Sequence, residues 1–191
     1  MKPQTITFII VLILILAVGI YKMNQSSPTN IKKMNQSLES KVKLETNMGD
    51  IVIKMYDDMP ITTGNFKSLV EHGVYDRVIF HRIIDGFMIQ GGDPTGTGFG
   101  DPKIPNIKDE FTHAGGNKNN RGTISIANAG PNTGSSQFFI NLVDNNFLDA
   151  KHPAFGEVIE GMDIVDKIAK VQTNAQDKPL ENVVIEKASV V

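Results

Sequence analysis

The chain has 191 residues, of which 40% are hydrophobic and 21% are charged, so it is long enough for one well-buried domain and an additional segment. The formal net charge of −2 argues against the strongly basic face that phosphate backbones require, so nucleic acid is not expected as a partner. Cysteine is absent, which excludes disulfides, thiol catalysis and cysteine-bound metals.

The amino-terminal segment differs in kind from the rest of the chain. No charged residue occurs between Lys2 and Lys22, and residues 6–20 read ITFIIVLILILAVGI. A membrane-spanning helix needs about 20 residues, with a lower limit near 17, whereas the apolar part of a signal peptide has about 7 to 15. We predict that residues 1–22 form a single-pass transmembrane helix. The alternative is a signal peptide cleaved near Ala17, which would give a secreted protein.

A polar stretch, residues 23–40, follows and reads MNQSSPTNIKKMNQSLES, which predicts a flexible linker. Asn24 and Asn35 match the glycosylation acceptor pattern, although a chance pair in such a linker is the simpler explanation. Lysines flank the apolar segment on both sides, so the positive-inside rule does not decide the orientation. By resemblance to export signals, we expect the following domain, residues 41–191, on the extracytoplasmic side of the cell membrane.

The domain has the pattern of many short strands with two helices. Alternating apolar residues around a turn at Asn47–Asp50 predict an opening hairpin. Helical spacing of apolar residues predicts helices at Pro60–Gly73 and Met162–Val171. Thr62 or Thr63 is the expected amino-terminal cap of the first helix. Further strands are predicted at Val78–Ile84, Met88–Gln90, Thr123–Ala127, Gln137–Leu142, Phe155–Ile159 and Val183–Val190.

This order of about eight strands, two helices and glycine-rich loops favours a closed or nearly closed β-barrel whose open ends the helices could cover. Closure would remove exposed edge strands, which otherwise favour aggregation. The pattern therefore predicts a mainly β fold.

Three apparent motifs lack a residue or a spacing that the corresponding function requires. The loop Gly96–Gly100 begins like the dinucleotide motif GxGxxG, but Asp101 stands at the last glycine position and Pro102 opposes the helix that should follow. Ser135 and Ser136 do not lie in a GxSxG elbow. The histidines lack the paired helical spacing of a metal site: His72, His81, His113 and His152. We expect no cofactor and no metal, and we interpret His81 as a core histidine with satisfied hydrogen bonds.

Two segments combine polar and apolar residues in an unusual way: Phe80–Pro94, FHRIIDGFMIQGGDP, and Ala129–Ile140, AGPNTGSSQFFI. Strand alternation puts Phe80 and Arg82 on one face, so Arg82 lies among apolar groups. The same alternation puts Phe139 on a polar face. This combination suits a proline-containing peptide, because the prolyl ring needs a small apolar pocket and the flanking backbone needs a few fixed hydrogen-bonding groups.

An arginine can accelerate rotation about an X–Pro bond without breaking any bond. Amide resonance gives this rotation a barrier of about 18–20 kcal/mol. As the amide twists, its nitrogen loses conjugation and becomes a better hydrogen-bond acceptor. A fixed guanidinium can therefore bind the twisted state more strongly than the planar one.

The two segments resemble the cyclophilins, the peptidyl-prolyl cis–trans isomerases, and the likeness covers about Val42 to Val190. The resemblance implies an eight-stranded antiparallel β-barrel capped by two α-helices. It also implies an isomerase (rotamase) that acts on proline-containing polypeptides, assists protein folding, needs no cofactor and has a monomeric domain. The stretch from Asp101 to Phe111 is similar to the shorter loop of prokaryotic-type members.

The resemblance also assigns site residues, with Arg82 as the catalytic residue. The implied substrate-binding residues are Phe87, Met88, Gln90, Ala127, Asn128, Gln137, Phe139, Phe147, Leu148 and His152. Phe147 stands where well-known eukaryotic members carry tryptophan, and the loss of the indole donor implies weak cyclosporin binding. Two other hypotheses are a non-catalytic module that binds proline-containing segments, and, with little support, a sugar- or nucleotide-binding barrel that uses the Gly96–Gly100 loop.

Overall fold

The computed structural model describes residues 40–191, in which nine strands form one sheet and two α-helices accompany it. The strands are β1 (Lys41–Thr46), β2 (Gly49–Met55), β3 (Val78–Ile79), β4 (Arg82–Ile84), β5 (Met88–Gly91), β6 (Thr123–Ile126), β7 (Phe138–Asn141), β8 (Ala154–Glu160) and β9 (Val184–Val190). The helices are α1 (Pro60–Glu71) and α2 (Met162–Ala169), and a 3-10 turn spans Asn146–Leu148.

The predicted transmembrane helix, residues 1–22, and the predicted linker, residues 23–40 apart from Ser40, lie outside the described residues. Neither helix within residues 40–191 combines the length and the apolar character that a membrane span requires.

The strands lie in the order β3-β9-β1-β2-β8-β6-β7-β5-β4, and each described pairing is antiparallel. The prediction of a mainly β fold with two helices is therefore confirmed. The edge strands β3 and β4 are separated in the chain by only Phe80 and His81. The sheet curls until its two edges meet at this short connection.

The predicted closed ladder of eight strands differs from the structure at this connection. The segment predicted as one strand, Val78–Ile84, is divided into β3 and β4, and within the described part of the chain no ladder joins these two strands. Phe80 and His81 are both buried, although neighbours in a regular strand point to opposite faces. Phe80 therefore does not share a face with Arg82, which is exposed.

The core lies on the concave side of the sheet, where apolar side chains from β1 and β2 alternate inward as predicted. Helix α1 contributes Phe66, whose ring centroid lies 5.0 Å from that of Tyr75, 5.5 Å from that of Phe138 and 5.2 Å from that of Phe155. Helix α2 buries Val165 together with Ile168 and Ala169. This packing fixes β7, which carries Phe138 and the neighbouring Phe139.

The amino terminus of α1 is capped by a distant carboxylate. Helix α1 starts with Pro60 after Met59, and neither residue supplies a side-chain cap. The buried side chain of Glu110 instead accepts the N–H of Ile61 at 3.2 Å and the N–H of Thr62 at 2.8 Å. The predicted threonine cap is therefore wrong. Two free helix N–H groups are satisfied by a residue that follows almost fifty positions later.

Replacing Glu110 by alanine should lower the free energy of unfolding by about 1–2 kcal/mol, the usual cost of losing a helix cap. For a domain of this size, each kcal/mol lowers Tm by about 2–4 °C. Thermal unfolding followed by circular dichroism measures the shift, with Glu181→Ala, at an exposed loop position, as the matched control. Equal Tm values for the two variants would contradict the capping role.

Candidate functional site

A row of side chains crosses four neighbouring strands on one side of the sheet. Arg82 of β4 lies opposite Gln90 of β5, and Gln90 lies opposite Phe139 of β7. Phe139 in turn lies opposite Ser125 of β6. Residues directly opposite in antiparallel strands have side chains on the same face, so the strand register brings Arg82, Gln90 and Phe139 together.

Nine of the eleven predicted site residues line one cavity of about 240 Å³. Its lining consists of Arg82, Phe87, Met88, Gln90, Ala127, Asn128, Phe139, Leu148 and His152. Every lining residue was predicted from the sequence. The cavity therefore unites residues from three strands, the turn before β5, the loop after β6, the 3-10 turn and the loop before β8.

The other two predicted residues lie beside this cavity. Phe147 is 71% exposed, and its ring stacks on that of Phe87 with centroids 6.1 Å apart. Gln137 lines a neighbouring cavity of about 500 Å³, to which Gln90, Ala127 and Asn128 also contribute. The two cavities thus share residues and form parts of one groove. A groove of this kind suits an extended chain better than one small ligand.

The wall of the smaller cavity is apolar and fixed. Met88 and Phe139 are 2% and 5% exposed. The rings of Phe139 and His152 pack edge to face at 5.5 Å. His152 Nδ1 lies 3.1 Å from the Ile126 carbonyl oxygen, which can only accept, so Nδ1 carries the hydrogen. A small apolar ring could enter this pocket without rearrangement of its walls.

Buried and half-buried asparagines hold the outer parts of the pocket in place. Asn145 donates to the Phe87 carbonyl at 2.9 Å and to Asn141 Oδ1 at 2.9 Å. Asn117 donates to the His152 carbonyl at 2.9 Å, and Asn119 donates to the same oxygen at 3.1 Å. The sequence did not predict these roles, because an asparagine in a loop gives no indication of a distant carbonyl partner.

A chain of side-chain amides crosses the boundary between the two cavities. Gln137 Nε2 donates to the Gly98 carbonyl at 3.0 Å. Since that oxygen can only accept, Gln137 Oε1 faces the other way and accepts from Gln90 Nε2 at 3.0 Å. This arrangement uses the donor side of Gln90 and fixes its orientation opposite Arg82.

The Gly98 carbonyl is in turn positioned by a carboxylate that sequence analysis missed. Asp93 is 0% exposed and accepts six hydrogen bonds, from the backbone and hydroxyl groups of Thr95 and Thr97 and from the backbone of Gly98 and Gly100. The Gly98 N–H lies 2.6 Å from Asp93 Oδ2. The Asp-x-Thr-x-Thr pattern, typical of side-chain-stabilised turns, could have indicated this role.

These hydrogen bonds also determine the ionisation of Asp93. Burial alone would raise the pKa of this carboxyl, but the hydrogen bonds from Thr95, Gly98 and Gly100 outweigh burial and hold the pKa below its ordinary value. Asp93 is therefore an anion at neutral pH and can accept all six hydrogen bonds.

The glycine loop is a tight turn around Asp93 and not a nucleotide loop. Gly98 has a φ of +86°, in the left-handed region that favours glycine. A Cβ atom at Gly98 would also lie 3.3 Å from the His81 ring. Within the described residues, the next regular element after this loop is strand β6, whereas the dinucleotide motif requires a helix directly after its loop.

His81 is buried beneath this loop, but its hydrogen bonds are not all satisfied. Among the described residues its Nδ1 has no hydrogen-bond partner, so the prediction of a fully satisfied core histidine is wrong. Burial lowers the pKa of His81, and the nearby carboxylate of Asp93 opposes this only partly, so the ring is neutral at pH 7. Within residues 40–191 no group of three or more His, Asp or Glu side chains is placed to hold a metal ion.

Known proteins resemble this chain in both sequence and fold. The family model described as cyclophilin type peptidyl-prolyl cis-trans isomerase/CLD matches residues 41–190. Peptidyl-prolyl cis-trans isomerase-like 1 of Gibberella zeae is 46% identical over 156 residues, which cover 81% of this chain and 96% of that protein. The protein of the same name from Bos taurus is 46% identical over 150 residues, which cover 77% of this chain and 90% of that protein.

Solved structures of cyclophilin-type isomerases also resemble this chain in fold. A crystal structure of a cyclophilin type peptidyl-prolyl cis-trans isomerase from Cryptosporidium parvum has a TM-score of 0.75 and 32% sequence identity. The match covers 80% of this chain and 98% of that chain. Another crystal structure of that protein was obtained in the presence of the dipeptide Ala-Pro, with a TM-score of 0.74.

Proposed function

The chain belongs to the cyclophilin-type peptidyl-prolyl cis–trans isomerases, and we propose that it holds the substrate proline in the pocket around Phe139 while Arg82 binds the twisted amide. One observation carries this proposal: Arg82 and Gln90 lie opposite each other at one cavity whose wall is formed by buried Met88 and Phe139. The site thus combines an always charged donor, a fixed amide and an apolar pocket.

Each part of the site has a separate task in this mechanism. The ring of the proline packs against Phe139, Met88 and Leu148, and this contact binds the cis, trans and twisted states alike. Gln90 and the backbone around Asn128 hold the peptide flanking the proline. Arg82 donates to the nitrogen of the twisted amide, which is the better acceptor, so its contribution lowers the barrier instead of only improving binding.

An exchange experiment tests this function directly. A blocked peptide with one Ala-Pro bond should show NMR exchange between cis and trans forms within seconds when a catalytic amount of protein is added, whereas unassisted exchange takes tens to hundreds of seconds. The Ala-Pro dipeptide of the Cryptosporidium parvum structure supports this choice of probe. Chemical shift changes without faster exchange would instead indicate a non-catalytic proline-binding module.

Phe139→Ala should lower kcat/KM in the same assay by about 10- to 100-fold, the usual effect of removing several carbons from an apolar pocket. Leu180→Ala is the matched control, because Leu180 is 63% exposed and does not line the cavity. Equal activity of the two variants would show that the proline binds elsewhere.

We also propose that the enzyme is a membrane-anchored member of prokaryotic type, with its domain on the extracytoplasmic side. The uncharged run at residues 6–20 supports an anchor, and the loop from Asp101 to Phe111 supports the prokaryotic type. Its clients would then be exported or surface proteins that contain proline. Phe147, in place of an indole donor, supports weak cyclosporin binding.

Protease protection on intact cells tests the location. The domain should be digested from outside, while full protection would contradict the proposed orientation. Mass spectrometry of the mature amino terminus separates an anchor from a cleaved signal peptide, because a start at Ile20 or later would contradict the anchor.

A further inference from the structure

A braced turn, residues 173–179, packs against the edge of β4. Its two ends form an isolated β-bridge. Within the turn, Asn174 Oδ1 accepts the N–H of Gln176 at 2.9 Å and the N–H of Lys178 at 3.1 Å. The Asn174 carbonyl accepts the N–H of Asp177 at 3.0 Å. These local hydrogen bonds hold Asp177 in a defined place.

Asp177 contacts both the backbone and the side chain of the strand that carries Arg82. Its carbonyl accepts the N–H of Ile83 at 2.8 Å, and its Oδ2 lies 3.4 Å from Arg82 Nε. The φ of Asp177 is +62°, and this left-handed conformation puts the carbonyl and the carboxylate on the same neighbouring strand. The turn is thus attached to β4 at the backbone and at the guanidinium.

Asp177 contacts the guanidinium of Arg82 at Nε and not at a terminal nitrogen. A guanidinium is planar and presents donors at Nε and at its two terminal nitrogens. A partner at Nε restricts the plane of the group, while both terminal nitrogens stay available for a ligand. Arg82 is 44% exposed in its side chain, and without a partner it would sample several rotamers.

We propose that Asp177 is a positioning residue for the isomerisation, and that its carboxylate holds the Arg82 guanidinium at Nε so that the terminal nitrogens stay directed at the substrate amide. The inference rests on the proposed role of Arg82. The Asp177 side chain is 41% exposed, and an exposed ion pair adds little to folding stability. Its effect is on catalysis, because a donor that is already oriented needs no reorganisation in the twisted state.

The test uses the full-length protein with Asp177→Asn and Asp177→Gly, since both replacements tolerate the left-handed backbone. With an uncharged, blocked Ala-Pro peptide, kcat should fall about three- to tenfold while KM changes by less than about twofold and Tm stays the same. Raising NaCl from about 0.01 M to about 1 M should lower kcat of the unmodified protein towards that of the variants, because salt screens an exposed pair. The variants should not respond.

A second exposed ion pair provides the control. Arg77 Nη1 lies 2.6 Å from Glu186 Oε2, and neither residue lines the cavity, so Glu186→Gln should leave kcat unchanged. Unchanged kcat in both Asp177 variants, a loss confined to KM, or an equal loss in Glu186→Gln would overturn the inference. If Arg82→Ala stays active, the proposed mechanism fails. If Arg82→Ala is inactive while both Asp177 variants keep full kcat, only the role of Asp177 fails.

Discussion

Replacing Arg82 by alanine should lower kcat for isomerisation by about 100- to 1000-fold and leave KM almost unchanged, the usual result of removing one donor that acts on the transition state. The guanidinium contributes little to binding the planar amide, whose nitrogen lone pair is delocalised. Its hydrogen bond becomes strong only in the twisted state. The measurement is steady-state isomerisation of a blocked Ala-Pro peptide, with peptide affinity obtained separately by titration.

A charge-preserving variant separates the effect of the positive charge of Arg82 from the effect of its planar guanidinium. Arg82→Lys keeps a positive charge but loses the planar, multidentate group, so its kcat should lie between those of Arg82→Ala and the unmodified protein. Arg77→Ala, at the exposed pair with Glu186, is the control for removing an arginine elsewhere on the surface. A loss of affinity that matches the loss of kcat/KM would instead identify Arg82 as a binding group only.

Asp93→Asn should destabilise the domain by about 3 kcal/mol or more, since a buried donor left without a partner costs about 1–3 kcal/mol and several are affected. Asparagine has the volume of aspartate, but its Nδ2 would face the donors that now reach Asp93 Oδ2, which come from Thr97, Gly98 and Gly100. Denaturant unfolding measures the loss. Asp101→Asn is the matched control, because Asp101 Oδ1 accepts one backbone N–H, from Lys103, and asparagine can do the same.

Asp93→Asn should also lower activity, because the loop Gly96–Gly100 contacts the side chains that hold the peptide. When the loop shifts, the Gly98 carbonyl no longer orients Gln137, and Gln137 no longer orients Gln90. We expect kcat/KM to fall by about tenfold, mainly through a higher KM, because this chain positions the peptide and not the twisted amide. A variant with normal stability and normal KM would show that the loop does not depend on Asp93.

The same carboxyl gives a pH dependence with a definite sign. The folded-state pKa of Asp93 lies below its ordinary value, because the hydrogen bonds it accepts outweigh the effect of burial. Its contribution to stability is therefore complete above that ordinary value and is lost as the pH falls through the lower folded-state pKa. In acid unfolding, Asp93→Asn should therefore not show the loss of stability that protonation of Asp93 causes in the unmodified protein.

The placement of side chains could be predicted best where it depends on alternation along one strand. The buried face of Phe138 and Ile140 and the opposite placement of Phe139 follow from period two, and the resemblance to the cyclophilins supplied the nine residues that line the cavity. The pocket depends on strand register, which no single segment contains. The pairing of Arg82 with Gln90, however, lies within one short hairpin, and the segment Phe80–Pro94 was recognised as a unit.

Most of the missed features depend on contacts between distant residues. Glu110 caps a helix that starts fifty positions earlier, and Asp177 reaches Arg82 across 95 positions. Asp93 acts locally, yet its effect on Gln90 passes through Gln137, 47 positions beyond Gln90. The division at Phe80 and His81 arises because the sheet closes on itself there, and periodicity in one segment does not report curvature of the whole sheet.

The strand order has a consequence for how the domain forms during synthesis. β1 pairs with β9, so Val42 lies opposite Val190, and β3 also pairs with β9. These contacts join the first and last strands of the domain, and loop closure over such a separation is slow. One side of β1 and the side of β3 that faces β9 must therefore stay unpaired until the ribosome releases the end of the domain. During that interval the exposed edges are open to pairing with other chains.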